Sequence, residues 1–182
     1  MVLISRRMML AAGGTLAAAS WPRKSRAQEL KTLSAALQPV DPPVIPPDIT
    51  FVDASGNTHH LSEFLGHGMV INLWATWCAP CVAEMPSLAA LSKTLAPADI
   101  AVLPLSSDHG GATAVESFFT AHGIAGLPVL LDPQGKAERA FNVEGIPTSV
   151  IIDKSGHERA RLSGSADWST PAAVATVRSL VG

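Results

Sequence analysis

The sequence predicts an α/β domain with a mixed central sheet, flanking helices and an N-terminal β-hairpin. In the middle of the chain, short apolar runs alternate with segments of helical periodicity, a pattern typical of parallel strands connected by helices. Near either end, the turn sequences 53–57 and 153–156 separate pairs of short strand-like runs, which adds antiparallel strands to the sheet. Of the 182 residues, 47% are hydrophobic and 15% are charged, a composition that can fill one core.

The individual elements are predicted from apolar periodicity, turn residues and helix caps. Gly123 is expected to end one helix, and Ser169 or Thr170 to cap the last, which has Pro171 at its start and ends near Val181. In chain order, the predicted elements are strands at 49–52, 58–61 and 70–74, a helix at 80–95, a strand at 100–105, a helix at 112–122, strands at 127–131, 148–152 and 158–162, and the final helix.

An export signal is predicted at residues 1–27. Arg6 and Arg7 precede the uncharged run 8–21, and cleavage is expected after Ala27, at the end of a small-residue exit. The run has 14 residues, whereas a membrane-spanning helix needs about 20. The paired arginines resemble a twin-arginine signal. A general-secretion signal and an uncleaved membrane anchor are the alternatives, and export would place the protein in the periplasm or an equivalent oxidising space.

Residues 28–47 are predicted to form an extended, proline-rich linker, and residues 48–182 the folded domain. Of the 13 basic residues, five lie in the first 27 positions, where there are no acidic ones. The rest of the chain therefore has eight basic and 15 acidic residues, a formal net charge of −7. Such a body has no basic stripe, so nucleic acid is not expected as a partner.

The two cysteines form the motif Cys78-Ala79-Pro80-Cys81, where a predicted buried strand leads into a helix. Free N–H groups and the helix dipole at that end favour a thiolate at Cys78, which is the attacking form. The two-residue spacer lets Cys81 close an intramolecular disulfide. The motif therefore predicts a redox-active pair, in which Cys78 attacks a substrate disulfide and Cys81 resolves the mixed disulfide.

The segment Val70–Cys81 resembles the active-site segment of the thioredoxin superfamily. Its continuation, Val82–Pro86, resembles the exported TlpA/ResA-like branch, thiol reductases that serve cytochrome c maturation and related periplasmic tasks. The segment Gly145–Thr148 is similar to the part of that family that carries a cis-proline. The resemblance runs from about residue 46 to the C-terminus and implies a thioredoxin-like three-layer fold and a protein-disulfide reductase.

The resemblance also implies supporting site residues. Pro147 would be cis, and the backbone of Ile146 could pair with an extended substrate. Glu84 could accept the proton of the second cysteine, whereas the alternative is a solvated glutamate on the helix surface. Asn72 stands where cytosolic thioredoxins have a buried aspartate; because an amide cannot take a proton, this favours Glu84. Trp77 is expected to contact partners, as an apolar surface beside the first cysteine.

The expected partners are protein thiols and disulfides, together with a membrane-bound electron donor, because an exported reductase has no cytosolic NADPH. The protein is expected to be a monomer with no cofactor besides its redox-active disulfide. No metal site is expected.

Three other functions use a cysteine pair or a reactive cysteine. A peroxidase needs a threonine three residues before its cysteine, but Thr76 is two before Cys78. A disulfide-donating oxidase differs only in reduction potential. A copper- or zinc-binding module could use the two thiolates. Further ligands would come from His59, His60, His67, Met85 or His109. None of these histidines has ligand spacing to the cysteines.

Overall fold

The computed structural model describes residues 36–182. The predicted signal and the first part of the predicted linker lie outside the described residues. Within residues 36–182, no helix is long and apolar enough to cross a membrane.

The described chain forms eight strands, four α-helices and two short 3₁₀ turns. In chain order these are β1 (Gln38–Val44), β2 (Thr50–Asp53), β3 (Thr58–His60), a 3₁₀ turn (Leu61–Phe64), β4 (Gly68–Trp74), α1 (Ala79–Leu95), a 3₁₀ turn (Ala96–Ala98), β5 (Ile100–Ser106), α2 (Gly111–His122), β6 (Leu130–Leu131), α3 (Lys136–Ala140), β7 (Thr148–Ile152), β8 (Glu158–Ser163) and α4 (Pro171–Val181).

All eight strands belong to one mixed sheet, in the order β1-β8-β7-β4-β5-β6-β2-β3. Strands β4, β5 and β6 are parallel, as the alternating pattern predicted. The hairpin β2–β3 pairs Thr50 with His60, which confirms the predicted N-terminal hairpin. The closing hairpin β7–β8 lies beside β4, with β7 antiparallel to it. The fold class is therefore the predicted α/β fold with a mixed central sheet.

The N-terminal boundary of the sheet differs from the predicted one. Residues 28–47 were expected to be a linker, but from Gln38 to Val44 they form β1, which pairs antiparallel with β8. The backbone of this stretch is extended, as expected, but the first strand of the sheet begins at Gln38, whereas the folded domain was expected to begin at Asp48. Prolines are tolerated here because β1 is an edge strand. On its outer side the backbone N–H groups have no partner strand in the described part of the chain, so the missing N–H of a proline there breaks no hydrogen bond. The register shift between Pro39 and Val44 is consistent with that interrupted pairing.

Two smaller differences occur around β6. This strand spans only Leu130–Leu131, whereas the apolar run predicted 127–131. Helix α3 was not predicted, because five residues are too few to show a helical period. Its start is held by Asp132, whose carboxylate oxygens accept hydrogen bonds from the backbone N–H groups of Lys136 (2.8 Å) and Ala137 (2.6 Å).

The sheet separates two apolar cores. Because side chains alternate along a strand, Val70 and Trp74 of β4 face α1, α2 and α4, while Ile71 and Leu73 face α3 and the first 3₁₀ turn. Every residue of β4 is buried. Asn72 lies between Val70 and Trp74, so the central strand carries one polar side chain towards the layer that contains α1.

Candidate active site

Both cysteines lie at the N-terminus of α1. Cys78 is the N-cap residue, and its Sγ accepts a hydrogen bond from the backbone N–H of Cys81 at 3.3 Å. The two residues form a disulfide, with their Cα atoms 5.2 Å apart. Cys81 is fully buried, whereas Cys78 retains 6% of its surface. Only Cys78 is therefore open to a second sulfur, and the helix N-terminus would stabilise its thiolate after reduction.

A loop from a distant part of the chain lies against Cys78. The Ile146–Pro147 peptide bond is cis, as expected from the sequence. The carbonyl oxygen of Ile146 lies 3.7 Å from the Sγ of Cys78. Beside this sulfur, Trp77 is 69% exposed. The structure thus brings Trp77, Ile146 and Pro147 together around the first cysteine.

An open cleft of about 660 Å³ adjoins this group. Trp77 forms one wall and the Gly145–Ile146 backbone another. The remaining lining comes from Ser107 and His109 after β5, from residues 133–135 between β6 and α3, and from Glu138 of α3. The cleft is large enough to receive an extended piece of polypeptide beside the disulfide.

Glu84 belongs to the same helix, α1, and its side chain is buried, with 2% of its surface exposed. Its Oε1 accepts a hydrogen bond from Asn72 Nδ2 at 2.9 Å. Its Oε2 accepts from the backbone N–H of Ala166 at 3.0 Å and from Trp168 Nε1 at 3.2 Å. Burial raises the pKa of the Glu84 carboxyl, and these hydrogen bonds partly oppose that rise. The alternative of a solvated surface glutamate is therefore wrong. Cys81 is not among the hydrogen-bond partners that the structure gives this carboxylate.

Asp108 is a site residue that the sequence reasoning missed. Its Oδ2 accepts a hydrogen bond from the backbone N–H of Thr76 at 2.8 Å, and its Oδ1 accepts from the Thr76 hydroxyl at 2.6 Å. Ser106 adds a third bond, from its hydroxyl to Oδ2 at 2.7 Å. The buried carboxylate therefore fixes the loop that leads from β4 to Cys78. A signal was present, because the carboxyl ends of parallel β4 and β5 meet at one edge, which places Thr76 beside Asp108.

Of the histidines considered as metal ligands, His59 and His67 pair with carboxylates, whereas His109 lines the cleft beside Trp77. His59 Nδ1 lies 3.0 Å from Glu63 Oε2, and its Nε2 lies 3.3 Å from Asp53 Oδ2. His67 Nδ1 lies 2.7 Å from Asp99 Oδ1. Within residues 36–182, no group of three or more His, Cys, Asp or Glu side chains could hold a metal ion.

Comparisons with known proteins agree with this geometry. The sequence model of the AhpC/TSA family matches residues 45–160. The thiol-disulfide oxidoreductase ResA of Geobacillus kaustophilus is 32% identical over 65% of this chain and 67% of the relative. The pneumococcal exposed lipoprotein thioredoxin Etrx1 of Streptococcus pneumoniae superimposes with a TM-score of 0.61 at 28% identity, over 73% of this chain and 99% of that structure. A thioredoxin-family thiol:disulfide interchange protein of Chlorobium tepidum gives a TM-score of 0.60 at 27% identity, over 74% and 96%.

Proposed function

Since this chain belongs to the AhpC/TSA family and is a thiol–disulfide oxidoreductase with a thioredoxin-like fold, we propose that it is an exported reductase of protein disulfides. The observation that carries this proposal is the disulfide between an accessible Cys78 and a buried Cys81 at a helix N-terminus. The cleft beside Trp77 and Ile146 provides room for a protein client.

The reaction consists of two thiol–disulfide exchanges. The Cys78 thiolate attacks one sulfur of a client disulfide, forms a mixed disulfide and releases the other client sulfur as a thiolate. Cys81 then attacks Cys78 Sγ, the bond between Cys78 and the client breaks, and the second client sulfur leaves. Two electrons have passed to the client, and the enzyme is left with the Cys78–Cys81 disulfide.

Glu84 is proposed as the base for the second exchange. Cys81 must lose its proton before it can attack, and its burial disfavours the thiolate. Glu84 lies one helical turn further along α1, with its carboxylate facing the interior. Its raised pKa brings this carboxyl closer to the working range of a general base.

Trp77, Ile146 and Pro147 are proposed to bind the client. The exposed ring of Trp77 offers apolar contact area, and the backbone beside Pro147 can pair with an extended chain. The 3.7 Å approach of the Ile146 carbonyl to Cys78 Sγ supports this role, because a chain paired there would have its disulfide next to the attacking sulfur.

The direction of electron flow depends on the reduction potential. We propose a value nearer the approximately −270 mV of thioredoxin than the approximately −120 mV of a strong oxidant. Equilibration of the full chain against glutathione measures it. A potential above about −150 mV would contradict the reductase assignment and favour a disulfide-donating oxidase.

Export is proposed from the basic pair Arg6-Arg7 and the apolar run that follows it. Fractionation of cells that express the full chain tests it. Replacement of both arginines by lysine should retain the protein in the cytoplasm if the twin-arginine route is used. Normal export of this variant would indicate the general-secretion route instead.

The proposed clients and electron source follow from the proposed export of a reductase. An exported reductase needs a membrane protein that passes electrons outward, and proteins of cytochrome c maturation or a similar pathway would be its clients. We propose a monomer that uses no cofactor besides its disulfide.

Trapping tests the proposed function directly. In the full-length Cys81→Ala variant, mixed disulfides on Cys78 should accumulate, and mass spectrometry of the adducts identifies the clients. The matched Cys78→Ala variant should trap none and should lose insulin-disulfide reduction. Equal trapping by both variants would reject the assigned roles of the two sulfurs.

A further inference from the structure

The side-chain amide of Asn72 contacts Glu84, the proposed base, through its NH₂ group and not through its carbonyl oxygen. Its Nδ2 donates one hydrogen bond to Glu84 Oε1 at 2.9 Å and another to Ser149 Oγ at 2.9 Å. All three residues are at least 98% buried. Among residues 36–182, Asn72 Oδ1 is buried without a hydrogen-bond partner. Since an orphaned acceptor costs free energy, the orientation of this amide is set by the two groups to which it donates.

A donor in this position discriminates between the two forms of Glu84. An N–H group stabilises a carboxylate, whereas it opposes the hydroxyl of a neutral carboxylic acid that must itself find an acceptor. The other partners of Glu84, the Ala166 backbone N–H and the Trp168 indole N–H, are donors as well. All three contacts thus favour the ionised form, in opposition to the effect of burial.

Among the residues that the structure describes, no charged group contributes to the pKa shift of Glu84. The ionisable residue of the adjoining 165–168 loop is Asp167, whose Oδ1 accepts hydrogen bonds from the backbone and hydroxyl of Ser169. In α4, Arg178 donates to the carbonyl of Thr94. On α1 itself, Cys81 is bonded to the first cysteine. The balance at Glu84 is therefore set by burial and by neutral donors.

Glu84 also lines a second, smaller cavity. This shallow cavity of about 220 Å³ is lined by Ala83, Glu84, Ser165 and Ala166. Its lining shares no residue with that of the cleft beside Trp77. This second cavity would therefore stay open while a client occupies the cleft.

We propose that Asn72 is a positioning residue for Glu84, and that its amide donor keeps this carboxylate ionised between turnovers so that it can take the proton of Cys81. This inference rests on the proposed role of Glu84 as the base. An aspartate at position 72 would instead place a second carboxylate against Glu84, and the two would share a proton.

The test is a titration of Glu84 in the disulfide-bonded full chain, carried out by NMR with ¹³C-carboxyl-labelled glutamate and assigned with Glu84→Gln. Asn72→Leu keeps the number and branching of the side-chain heavy atoms and removes the donor, so the titration midpoint should rise by about one pH unit. Asn72→Asp should raise it further. Ser149→Ala, which removes a neighbour of Asn72 but no donor to Glu84, should leave the midpoint within a few tenths of a unit.

An unchanged midpoint in Asn72→Leu would overturn the inference. If Asn72→Leu does not fold, Asn72→Ala, which also removes the donor and adds no charge, decides in the same way. The rate of client release from the mixed disulfide, measured against pH, should show its acid limb shifted with the midpoint. If Glu84→Gln retains the acid limb of the unchanged protein, Glu84 is not the base, and the proposed role of Glu84 is rejected. An unchanged titration midpoint in the Asn72 variant rejects only the role of Asn72.

Discussion

Asp108 holds Thr76 through both carboxylate oxygens, at 2.8 Å to the backbone N–H and at 2.6 Å to the hydroxyl. Thr76 is two residues before Cys78, and Asp108 follows the neighbouring strand of the sheet. The first cysteine is therefore positioned from two directions, by the helix that it caps and by the clamp on the loop before it.

Loss of this clamp is expected to affect both stability and activity. In Asp108→Asn, the charge and one acceptor oxygen are lost, so the charge-assisted hydrogen bonds to Thr76 are weakened and the free energy of unfolding should fall by about 2 kcal/mol. Insulin-disulfide reduction should slow by about tenfold, because the loop that bears Cys78 is released. Denaturant unfolding of the oxidised protein and the reduction assay measure these effects.

The matched variant for this prediction is Thr76→Val, which keeps the side-chain shape and the backbone hydrogen bond but removes the hydroxyl. Its loss of stability should be about half that of Asp108→Asn. If Asp108→Asn were as stable as the unchanged protein, the carboxylate would not hold the loop.

Trp77 should matter for clients and not for folding. Because its side chain is 69% exposed, Trp77→Ala should change the free energy of unfolding by less than about 0.5 kcal/mol. Reduction of a protein disulfide should slow several-fold, whereas reduction of a small disulfide such as oxidised glutathione should be nearly unchanged. Equal losses with both substrates would show that Trp77 acts on the sulfur chemistry and not on client contact.

The β2–β3 hairpin should lose stability as the pH rises through the raised pKa of His59. The hydrogen bond to Glu63, followed by that to Asp53, raises the pKa of His59 above 6.5. A raised histidine pKa contributes stability that is complete below the unfolded value and is lost as the pH rises through the folded value. The effect should be small, because the pair is exposed and screened by salt.

The acidic partners of His59 act in the opposite pH range. The hydrogen bond from His59 is the main cause that lowers the pKa of Glu63. For Asp53, the hydrogen bond from the Asn57 side chain is the main cause, and it lowers the pKa to about 2. Their contributions are lost as the pH falls through those lowered values. Hydrogen exchange of the hairpin amides against pH tests both limbs. In His59→Gln the loss of stability at rising pH should disappear, and its persistence would assign that loss to another group.

Gly68 is required by a close approach of α4. A Cβ atom at this position would collide with the side chain of Val181 and press against Ile100. Gly68→Ala should therefore lower the free energy of unfolding by about 1–3 kcal/mol. Gly145→Ala is the matched control, because the space around its Cβ position is open, and the change there should be much smaller.

Rescue adds a second test of the same contact. Val181→Ala removes the colliding methyl groups, so the double variant should be destabilised by less than the sum of the two single variants. Strict additivity, measured by denaturant unfolding, would mean that the two residues do not interact.

Those parts of the protein that depend on residues close in sequence could be predicted without a structure. The strand before Cys78, the helix after it, the two-residue spacer and the hairpin turns all depend on local periodicity and on local steric limits. The order of these elements was enough to predict a mixed sheet, because parallel strands need crossover helices and tight turns make antiparallel pairs. The chemistry of the cysteine pair follows from the same local pattern.

Contacts between distant residues were decided only by the tertiary structure. The sequence left Glu84 as either a base or a surface residue. In the structure it is buried and accepts hydrogen bonds from Trp168 and Asn72, which lie 84 and 12 positions away. Whether the proline-rich stretch pairs with β8 depended on a free sheet edge that no local pattern reveals. The physical reason is that hydrogen-bond partners and burial are properties of the packed surface around a group, and a side chain's own neighbours in the chain supply only a small part of that surface.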